Sequence, residues 1–600
     1  MTDKCTVDFE PLGRRARVAS GATLLEAARQ AGVGLNAVCG GAGTCGTCRV
    51  RVVAGKVSPP TEAERELVAE GLRLACQVCV LGDARVDVPP DSITAAQRAQ
   101  VEGRERTVEL DPAARGFDVT LAPSNLDDLR ADVTRLREAL VQQHDVTLER
   151  FDPAALRQLP LLLRENEWRI RIVIKNNELI AVAPPDAPPL GLAVDIGTTK
   201  VAAYLVDLAN GEALGAAGVM NPQIAYGEDV MARITYGMDG RERAQELQRA
   251  LASGLDELAG ELCAQAGRES GEIVEAVLVG NTCMHHLALG LPADSLGLAP
   301  YVAVLSDSYD LKARDLGLSL SPGASVHMLP NIAGFVGADH VAMLLATSIH
   351  ETDVITVGLD IGTNTEISLA AGGRLLSCSC ASGPAFEGAH IHDGMRAAPG
   401  AIERVRFVDG RIEYQTIDGA PPVGICGSGI LDAVAELRRV SALRANGAMQ
   451  ADGHPRVRGE GRGVEFVLVP AGERDAPRDI VVTRKDVNEI QLAKAAIRAG
   501  VEVLLDEAGL EAEQVQQVVV AGAFGTYLDV DSALAIGMFP PLPRERFVQV
   551  GNAAGMGAKL ALLSRHCRRQ AEEIARRVEY VELTTNPRFV GEYTKALMLP

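Results

Sequence analysis

LAVDIGTTK, residues 192–200, is an apolar segment that ends in Asp195 and runs into a tight Gly-Thr-Thr turn. A second apolar segment, residues 201–206, follows at once, so the pattern predicts a strand, a turn and a returning strand. The P-loop has a strand, a loop and a helix instead, and its GxxxxGKS/T motif is absent from the chain. In such a hairpin we expect turn N–H groups and threonine hydroxyls to hold phosphate, while Asp195 holds Mg²⁺ directly or through water.

The same pattern returns at residues 357–366, VGLDIGTNTE, where Asp360 takes the place of Asp195. An internal repeat of this kind predicts two similar lobes that face each other across a nucleotide cleft. Glu366, just after the second turn, is our candidate for the residue that positions the attacking water. A solvated or ion-paired strand residue is an alternative interpretation of Glu366.

Four cysteines near the N-terminus have the spacing C-x5-C-x2-C, with a fourth 28 residues later: Cys39, Cys45, Cys48 and Cys76. The loop that connects the first three is rich in glycine, which lets a backbone bend around a cluster and aim N–H groups at its sulfurs. This arrangement predicts a [2Fe-2S] ligand set. The alternative is a zinc site, although zinc sites usually pair their cysteines as two C-x2-C knuckles. Cys79 is the substitute if Cys76 is not the fourth ligand.

Composition sets the outer bounds on function. The 600 residues are 47% apolar, which predicts several folded domains, and the net charge of −20 argues against nucleic acid or an anionic membrane as a partner. We find no apolar run of about 18 residues and no leader sequence. The other eight cysteines are too sparse for a disulfide framework, so we expect a cytoplasmic protein.

Residues 1–90 are predicted to form a small mixed domain. Residues 5–10 and 14–18 have the pattern of a hairpin, and Thr23 with Glu26 forms a capping box that opens a helix ended by Gly32. A strand follows the cysteine loop and another follows Cys76. This order resembles the β-grasp ferredoxins, and the first cysteine gap resembles that of their adrenodoxin-like branch.

A polar linker, residues 91–106, leads to a middle α+β domain, residues 107–183. In the middle domain we expect a helix over residues 125–142 and a hairpin turned by Asn176-Asn177. The proline-rich residues 183–189 then mark a boundary, because consecutive prolines continue neither a helix nor a central strand.

The paired DIGT turns resemble the phosphate-1 and phosphate-2 loops of the actin/Hsp70/sugar-kinase superfamily, so residues 190–600 are expected to form a two-lobed ATPase domain of that type. The segment VVVAGAFG, residues 518–525, resembles the superfamily's adenosine motif. Lys494, in a helix opened by a Thr483/Asp486 capping box, either contacts the nucleoside or is solvated. Beyond the two aspartates, the resemblance implies nucleotide contacts from Gly197, Thr198, Thr199, Gly362, Thr363, Asn364, Gly427, Ser428, Gly429, Gly522 and Gly525.

With its ferredoxin-like N-terminus, the whole chain resembles the reductive activators of corrinoid proteins. The fold class is therefore expected to be multidomain α/β and α+β. The resemblance implies a [2Fe-2S] cluster, ATP and Mg²⁺ as cofactors, with Asp195 and Asp360 at the metal. It also implies ATP-dependent return of cobalt(II) to cobalt(I) in the corrinoid protein of a methyltransferase system. A separate electron donor and a homodimer are further expectations.

Two other functions remain open. The chain could donate ATP-driven electrons to a different low-potential acceptor, as the activators of dehydratases and aromatic-ring reductases do; those lack a fused ferredoxin domain. It could also sense nucleotide and redox state without hydrolysis. Retention of both Asp195 and Asp360 argues against a sensor.

Overall fold

The computed structural model describes residues 4–10, 14–31, 33, 35, 37, 39, 41–69, 71–89, 92, 103, 106–408, 410–450, 454–476 and 478–600. The predicted end of the first helix at Gly32 lies outside these residues. So does most of the predicted linker, of which Ser92, Gly103 and Arg106 alone are described.

The N-terminal region is a five-stranded mixed sheet with a helix packed against it, as a β-grasp domain requires. The strands lie in the order β2-β1-β5-β3-β4. The predicted hairpin is confirmed by antiparallel pairing of β1 with β2, and the Thr23–Glu26 capping box is confirmed as well. The elements are β1 (Lys4–Glu10), β2 (Arg14–Ala19), α1 (Leu24–Gln30), β3 (Arg49–Val57), α2 (Arg65–Ala69), β4 (Arg73–Leu74) and β5 (Val80–Asp87).

The next region is a four-stranded sheet, in the order β6-β8-β9-β7, covered by two helices. Asn176 and Asn177 both have positive φ and turn the predicted β8–β9 hairpin. The helix predicted from residue 125 begins only at Asp132, because the Asn125 side chain accepts N–H groups from the next turn and holds it non-helical. The elements are β6 (Arg115–Thr120), α3 (Asp132–His144), β7 (Arg150–Phe151), α4 (Pro153–Glu165), β8 (Arg169–Lys175) and β9 (Glu178–Ala183).

The first lobe of the large domain is built on a six-stranded sheet in the order β12-β11-β10-β13-β15-β14. Its central strands β10 and β13 are buried along their length and run parallel, which requires the helical crossover between them. The elements are β10 (Leu190–Ile196), β11 (Lys200–Asp207), β12 (Ala213–Met220), α5 (Val230–Met238), α6 (Arg241–Gln265), β13 (Ile273–Gly280), α7 (Thr282–Leu289), α8 (Asp294–Gly297), β14 (Tyr309–Lys312), β15 (Ser325–Met328) and α9 (Ala338–Thr347).

The second lobe repeats this plan in a sheet of order β26-β25-β16-β17-β18-β27 and adds two small sheets. The elements are β16 (Thr356–Ile361), β17 (Asn364–Ala371), β18 (Arg374–Ala381), β19 (Ala401–Val408), β20 (Arg411–Thr416), β21 (Gly424–Ile425), α10 (Gly427–Arg439), β22 (Val457–Arg458), β23 (Glu465–Val469), β24 (Ile480–Thr483), α11 (Arg484–Glu507), β25 (Gln517–Ala521), α12 (Ala523–Tyr527), α13 (Val530–Ala535), β26 (Phe547–Gly551), α14 (Ala553–Leu563), α15 (Arg565–Arg577), β27 (Glu579–Tyr580) and α16 (Phe589–Ala596).

Helices α9 and α14 lie between the two large sheets. One buried apolar cluster contains side chains of both helices together with Val277 of the first sheet and Val519 of the second. The helices approach closely at Gly557, where an added Cβ would lie 2.0 Å from the carbonyl oxygen of Ala342. The expected pair of similar lobes is therefore joined by a tightly packed helix pair.

The N-terminal domain contacts the first lobe through Arg29 on α1. Its guanidinium lies 4.5 Å from the centre of the Tyr226 ring and donates to the carbonyl of Ala225. Just before this segment, the Asn221 side chain donates to the carbonyl of Gly197 at 2.8 Å. One short segment thus contacts both the N-terminal domain and the first DIGT turn. Within the described part of the chain, no helix has the length and apolar character that a membrane crossing requires.

Candidate functional sites

The four predicted cluster cysteines lie close together as two pairs. Cys39 and Cys45 follow α1 with their sulfurs 3.3 Å apart, while Cys48, just before β3, lies 3.4 Å from Cys76. Cys48 thus pairs with Cys76 rather than with the alternative, Cys79. A [2Fe-2S] cluster takes two thiolates on each iron, so two pairs of sulfurs fit its ligand set.

The loop between the pairs supplies backbone N–H groups to the sulfurs. Burial opposes ionisation of Cys39, but hydrogen bonds from Cys45, Gly41 and Thr44 outweigh it and lower its pKa to about 6. Gly41 and Gly43 have φ of +110° and +77°, which other residues rarely adopt. The glycines that the sequence singled out therefore allow a backbone that stabilises thiolates.

A single zinc ion fits this geometry less well. Tetrahedral zinc needs four ligands converging on one point. Among the residues with described positions, no group of three or more His, Cys, Asp or Glu side chains is arranged to hold one metal ion. The two separate pairs of sulfurs therefore agree better with a two-iron centre than with one zinc ion.

The two DIGT turns face each other across a cleft of about 270 Å³ between the lobes. Gly522, at the end of β25, has φ of +90°, and a Cβ there would lie 2.8 Å from the Asp360 carboxylate, so only glycine fits. The cleft is lined by most of the predicted nucleotide residues: Asp195, Gly197, Thr198, Thr199, Asp360, Gly362, Thr363, Asn364, Glu366, Gly427, Ser428 and Gly522.

Three predicted residues do not line the cleft. Lys494 is buried on α11 and donates to the carbonyl of Met598 at 2.6 Å, so it is neither solvated nor directed at a nucleoside. Gly429 lies inside α10 against the backbone of Ile402, and Gly525 lies beyond the strand end on α12. For Gly429 and Gly525, the segments selected from the sequence were therefore longer than the parts that reach the cleft.

Four of the acidic side chains that line the cleft lie close enough to repel one another: Asp195, Asp339, Asp360 and Glu366. Burial and the neighbouring Asp339 raise the pKa of Asp195 to about 7, and burial raises the pKa of Asp339 to about 6. Burial and mutual repulsion raise the pKa values of Asp360 and Glu366 well above their usual range. Mg²⁺ is usually held by one or two carboxylates together with nucleotide phosphates and water, so one or two of these carboxylates would suit such a cation, which would relieve their repulsion.

Sequence analysis missed two of the cleft residues around these acids. Asp339 comes from the first turn of α9, after Gly337, and Asn552 is the N-cap of α14 and hydrogen-bonds Asp195. The only sequence signal for either is a polar residue at a helix start, which ordinary capping also explains.

The raised pKa values predict how the cleft responds to pH. A carboxyl group must lose its proton to bind Mg²⁺, so protons compete with the metal below the pKa of about 7 at Asp195. With one proton displaced from Asp195, we expect the Mg²⁺-dependent part of nucleotide affinity to fall about fivefold between pH 7 and pH 6, because the ionised fraction falls from about one half to about one eleventh. Titrations with Mg²⁺ and with EDTA at each pH separate this effect from titration of the nucleotide; an Mg²⁺ effect that is flat from pH 6 to pH 8 would contradict it.

A further carboxylate joins the two turns directly. Glu387, in the short 3-10 helix Pro384–Glu387 of the second lobe, accepts a hydrogen bond from Thr199 at 2.8 Å and one from Thr363 at 2.5 Å. Near it, Arg396 of the second lobe pairs with Glu228 of the first at 2.8 Å. The two lobes are therefore connected across the cleft by side chains that the sequence analysis had not assigned.

Comparison with known protein families divides the chain into four parts. Residues 7–81 match the 2Fe-2S iron-sulfur cluster binding domain, and residues 103–188 match the RACo linker region. Residues 190–352 match the RACo middle region, and residues 354–600 match the C-terminal, ASKHA domain of RACo. All four paired cysteines lie within the first match.

Similar proteins cover nearly the whole chain. The corrinoid activation enzyme RamQ of Eubacterium limosum is 34% identical over 574 residues, 94% of this chain and 93% of that protein. The Co(II) methylated amine-specific corrinoid protein reductase of Methanosarcina barkeri is 27% identical over 67% of this chain and 76% of its own length. A solved structure described as a reductive activator for corrinoid, iron-sulfur protein is 36% identical, covers 99% of this chain and 98% of its own, and superposes with a TM-score of 0.74.

Proposed function

Since this chain belongs to the RACo family of reductive activators of corrinoid proteins, we propose that it uses ATP to drive one electron onto the cobalt(II) of a corrinoid protein. The product is the cobalt(I) state that a methyltransferase system requires. The observation that carries this proposal is the presence, in one polypeptide, of two cysteine pairs and an acid-lined cleft between DIGT turns.

The cysteine pairs supply the electron-transfer half of the reaction. Cys39 and Cys45 would hold one iron, and Cys48 and Cys76 the other. A bound [2Fe-2S] cluster accepts and donates one electron, and clusters of the plant type have potentials near about −400 mV. The loop N–H groups that donate to Cys39 would stabilise negative charge on the reduced centre.

Nucleotide bound in the cleft would supply the energy for the electron transfer. Moving one electron uphill by a further 100 mV costs about 2.3 kcal/mol, so the ATP domain has a physical reason to be fused to the cluster domain. Asp195 and Asp360 would hold Mg²⁺. The hydroxyls of Thr198, Thr199 and Thr363 would contact phosphate, and Glu366 would position water. Nucleotide can then act by favouring the lobe arrangement that binds the corrinoid partner.

The remaining proposals concern the cellular compartment, the partners and the oligomeric state of the protein. None of the twelve cysteines forms a disulfide, which agrees with a reducing compartment, and we propose the cytoplasm. The net charge of −20 favours a protein partner over nucleic acid or an anionic membrane. A separate protein or small reductant would reload the cluster, and we propose a homodimer as the working form.

The direct test combines the purified protein, a chemical reductant and a cobalt(II) corrinoid protein under anaerobic conditions. We expect the visible band of cobalt(I) to form with Mg-ATP and not without it. The Asp360→Ala variant with Mg-ATP serves as the control for the ATP site. If the cluster is intact, ATP is hydrolysed and no band forms with several corrinoid partners, the electron acceptor is a different enzyme and the proposal fails.

A further inference from the structure

Glu387 lies where a nucleotide phosphate is expected. Each of its carboxylate oxygens accepts a hydrogen bond from one threonine, Thr199 in the first DIGT turn and Thr363 in the second. These two hydroxyls come from opposite lobes and both line the cleft. One carboxylate therefore spans the gap between the two turns.

The backbone around Glu387 is held in place by packing. The ring of Phe386 stacks on Phe524 with centroids 4.5 Å apart, which fixes the residue before it. Gly388, the residue after it, has φ of +78°, and a Cβ there would lie 2.2 Å from the carbonyl oxygen of Met395. The side chain of Glu387 is half-buried, so it can turn away while its backbone stays in place.

A threonine hydroxyl has one hydrogen to donate. While Thr199 and Thr363 donate to Glu387, neither hydroxyl can donate to a phosphate oxygen. A phosphate brought to the same place would also be repelled by the carboxylate, and inside a partly buried cleft that repulsion is weakly screened. Nucleotide and the Glu387 carboxylate thus require the same two donors.

We propose that Glu387 is an internal competitor of nucleotide phosphate: it holds the two lobes together in the nucleotide-free protein and must leave the threonines before nucleotide binds. This inference rests on the proposed function, in which the cleft binds nucleotide. It assigns to Glu387 a positioning role, because the side chain sets the affinity for nucleotide and the resting closure of the lobes.

Nucleotide affinity of Glu387→Ala and Glu387→Gln tests the proposal in the full-length protein. We expect both variants to bind a non-hydrolysable ATP analogue with Mg²⁺ about tenfold more tightly than the unmodified protein, because the competing charge is removed. The matched control is Glu413→Gln, a carboxylate exposed on β20 of the same lobe, which is expected to leave affinity unchanged.

Hydrogen–deuterium exchange provides the second measurement. It distinguishes a side chain that holds the two lobes together from one that only supports the local fold. Without nucleotide, peptides covering residues 197–200 and 362–364 are expected to exchange faster in Glu387→Ala, whereas saturating nucleotide removes the difference. Affinity that is equal or weaker in both variants, with unchanged exchange, would overturn the competitor role while leaving the nucleotide site intact. Absence of nucleotide binding in every protein would instead overturn the proposed function, and this inference with it.

Discussion

Asp360→Ala is expected to abolish Mg²⁺-dependent ATP turnover, lowering it at least about 100-fold. Asp360 is the penultimate residue of β16, which is hydrogen-bonded to β17 on one side and to β25 on the other, so three strands position its carboxylate. Gly522 lies against it and leaves no room for a substitute side chain to reach the same point. Loss of this carboxylate would therefore remove one of the two proposed Mg²⁺ ligands.

Stability and cluster content distinguish this effect from misfolding. Burial and the charges of Asp339 and Asp195 raise the pKa of Asp360, so its charged form is unfavourable in the empty cleft. The nucleotide-free variant should be as thermally stable as the unmodified protein, with the same visible cluster absorption. Asp353→Ala, an exposed change a few residues earlier, is the matched control. Unchanged turnover in Asp360→Ala would show that the second DIGT turn is not a phosphate loop.

Cys45→Ala is expected to remove most of the visible [2Fe-2S] absorption while nucleotide binding stays intact. Cys45 is half-buried and lies outside the apolar core of the N-terminal domain, to which Cys48 and Cys76 belong. The substitution thus removes one of the two thiolates proposed for one iron, and we expect it to leave core packing undisturbed. Absorption spectra, iron content and nucleotide affinity of the same preparation provide the measurement.

Cys79→Ala is the control for the ligand assignment, since the sequence left Cys79 as the alternative to Cys76 for the fourth ligand. Its backbone N–H is bonded to Ser58 and its sulfur lies outside the two pairs, so the cluster should be retained. A full cluster spectrum in Cys45→Ala would remove Cys45 from the ligand set. Loss of the cluster in Cys79→Ala would transfer the fourth position to that residue.

Local patterns predicted a large part of this molecule. A strand that ends in Asp-Ile-Gly-Thr requires a turn with accessible N–H and hydroxyl groups, so both DIGT turns could be recognised and their facing arrangement inferred from the repeat. The spacing of Cys39, Cys45 and Cys48 likewise reflects one compact loop. The multidomain α/β and α+β fold class is confirmed by the structure and the comparisons.

The residues that sequence analysis missed reach the cleft through tertiary packing. Asp339 arrives from a helix between the two repeats, and Glu387 projects from a loop that looks like a connection of small residues. Neither residue stands at a fixed sequence spacing from the side chains that it contacts. Those side chains come from distant segments of the chain, across the same lobe or in the other lobe. The two interpretations of Lys494 were wrong because the sequence of a long helix does not indicate which neighbouring segment will bury a charged side chain.

The contact of α9 with α14 at Gly557 has a consequence for how the lobes move. Because the two backbones touch there, with no side chain between them, we expect the helix pair to resist sliding of one lobe past the other more than rotation about the contact. A larger residue at position 557 would push α9 and α14 apart, and we expect it to move Asp339 and Asn552, which lie at the starts of these helices and line the cleft. A glycine outside the cleft would in this way help to determine how the two halves of the cleft are placed relative to each other.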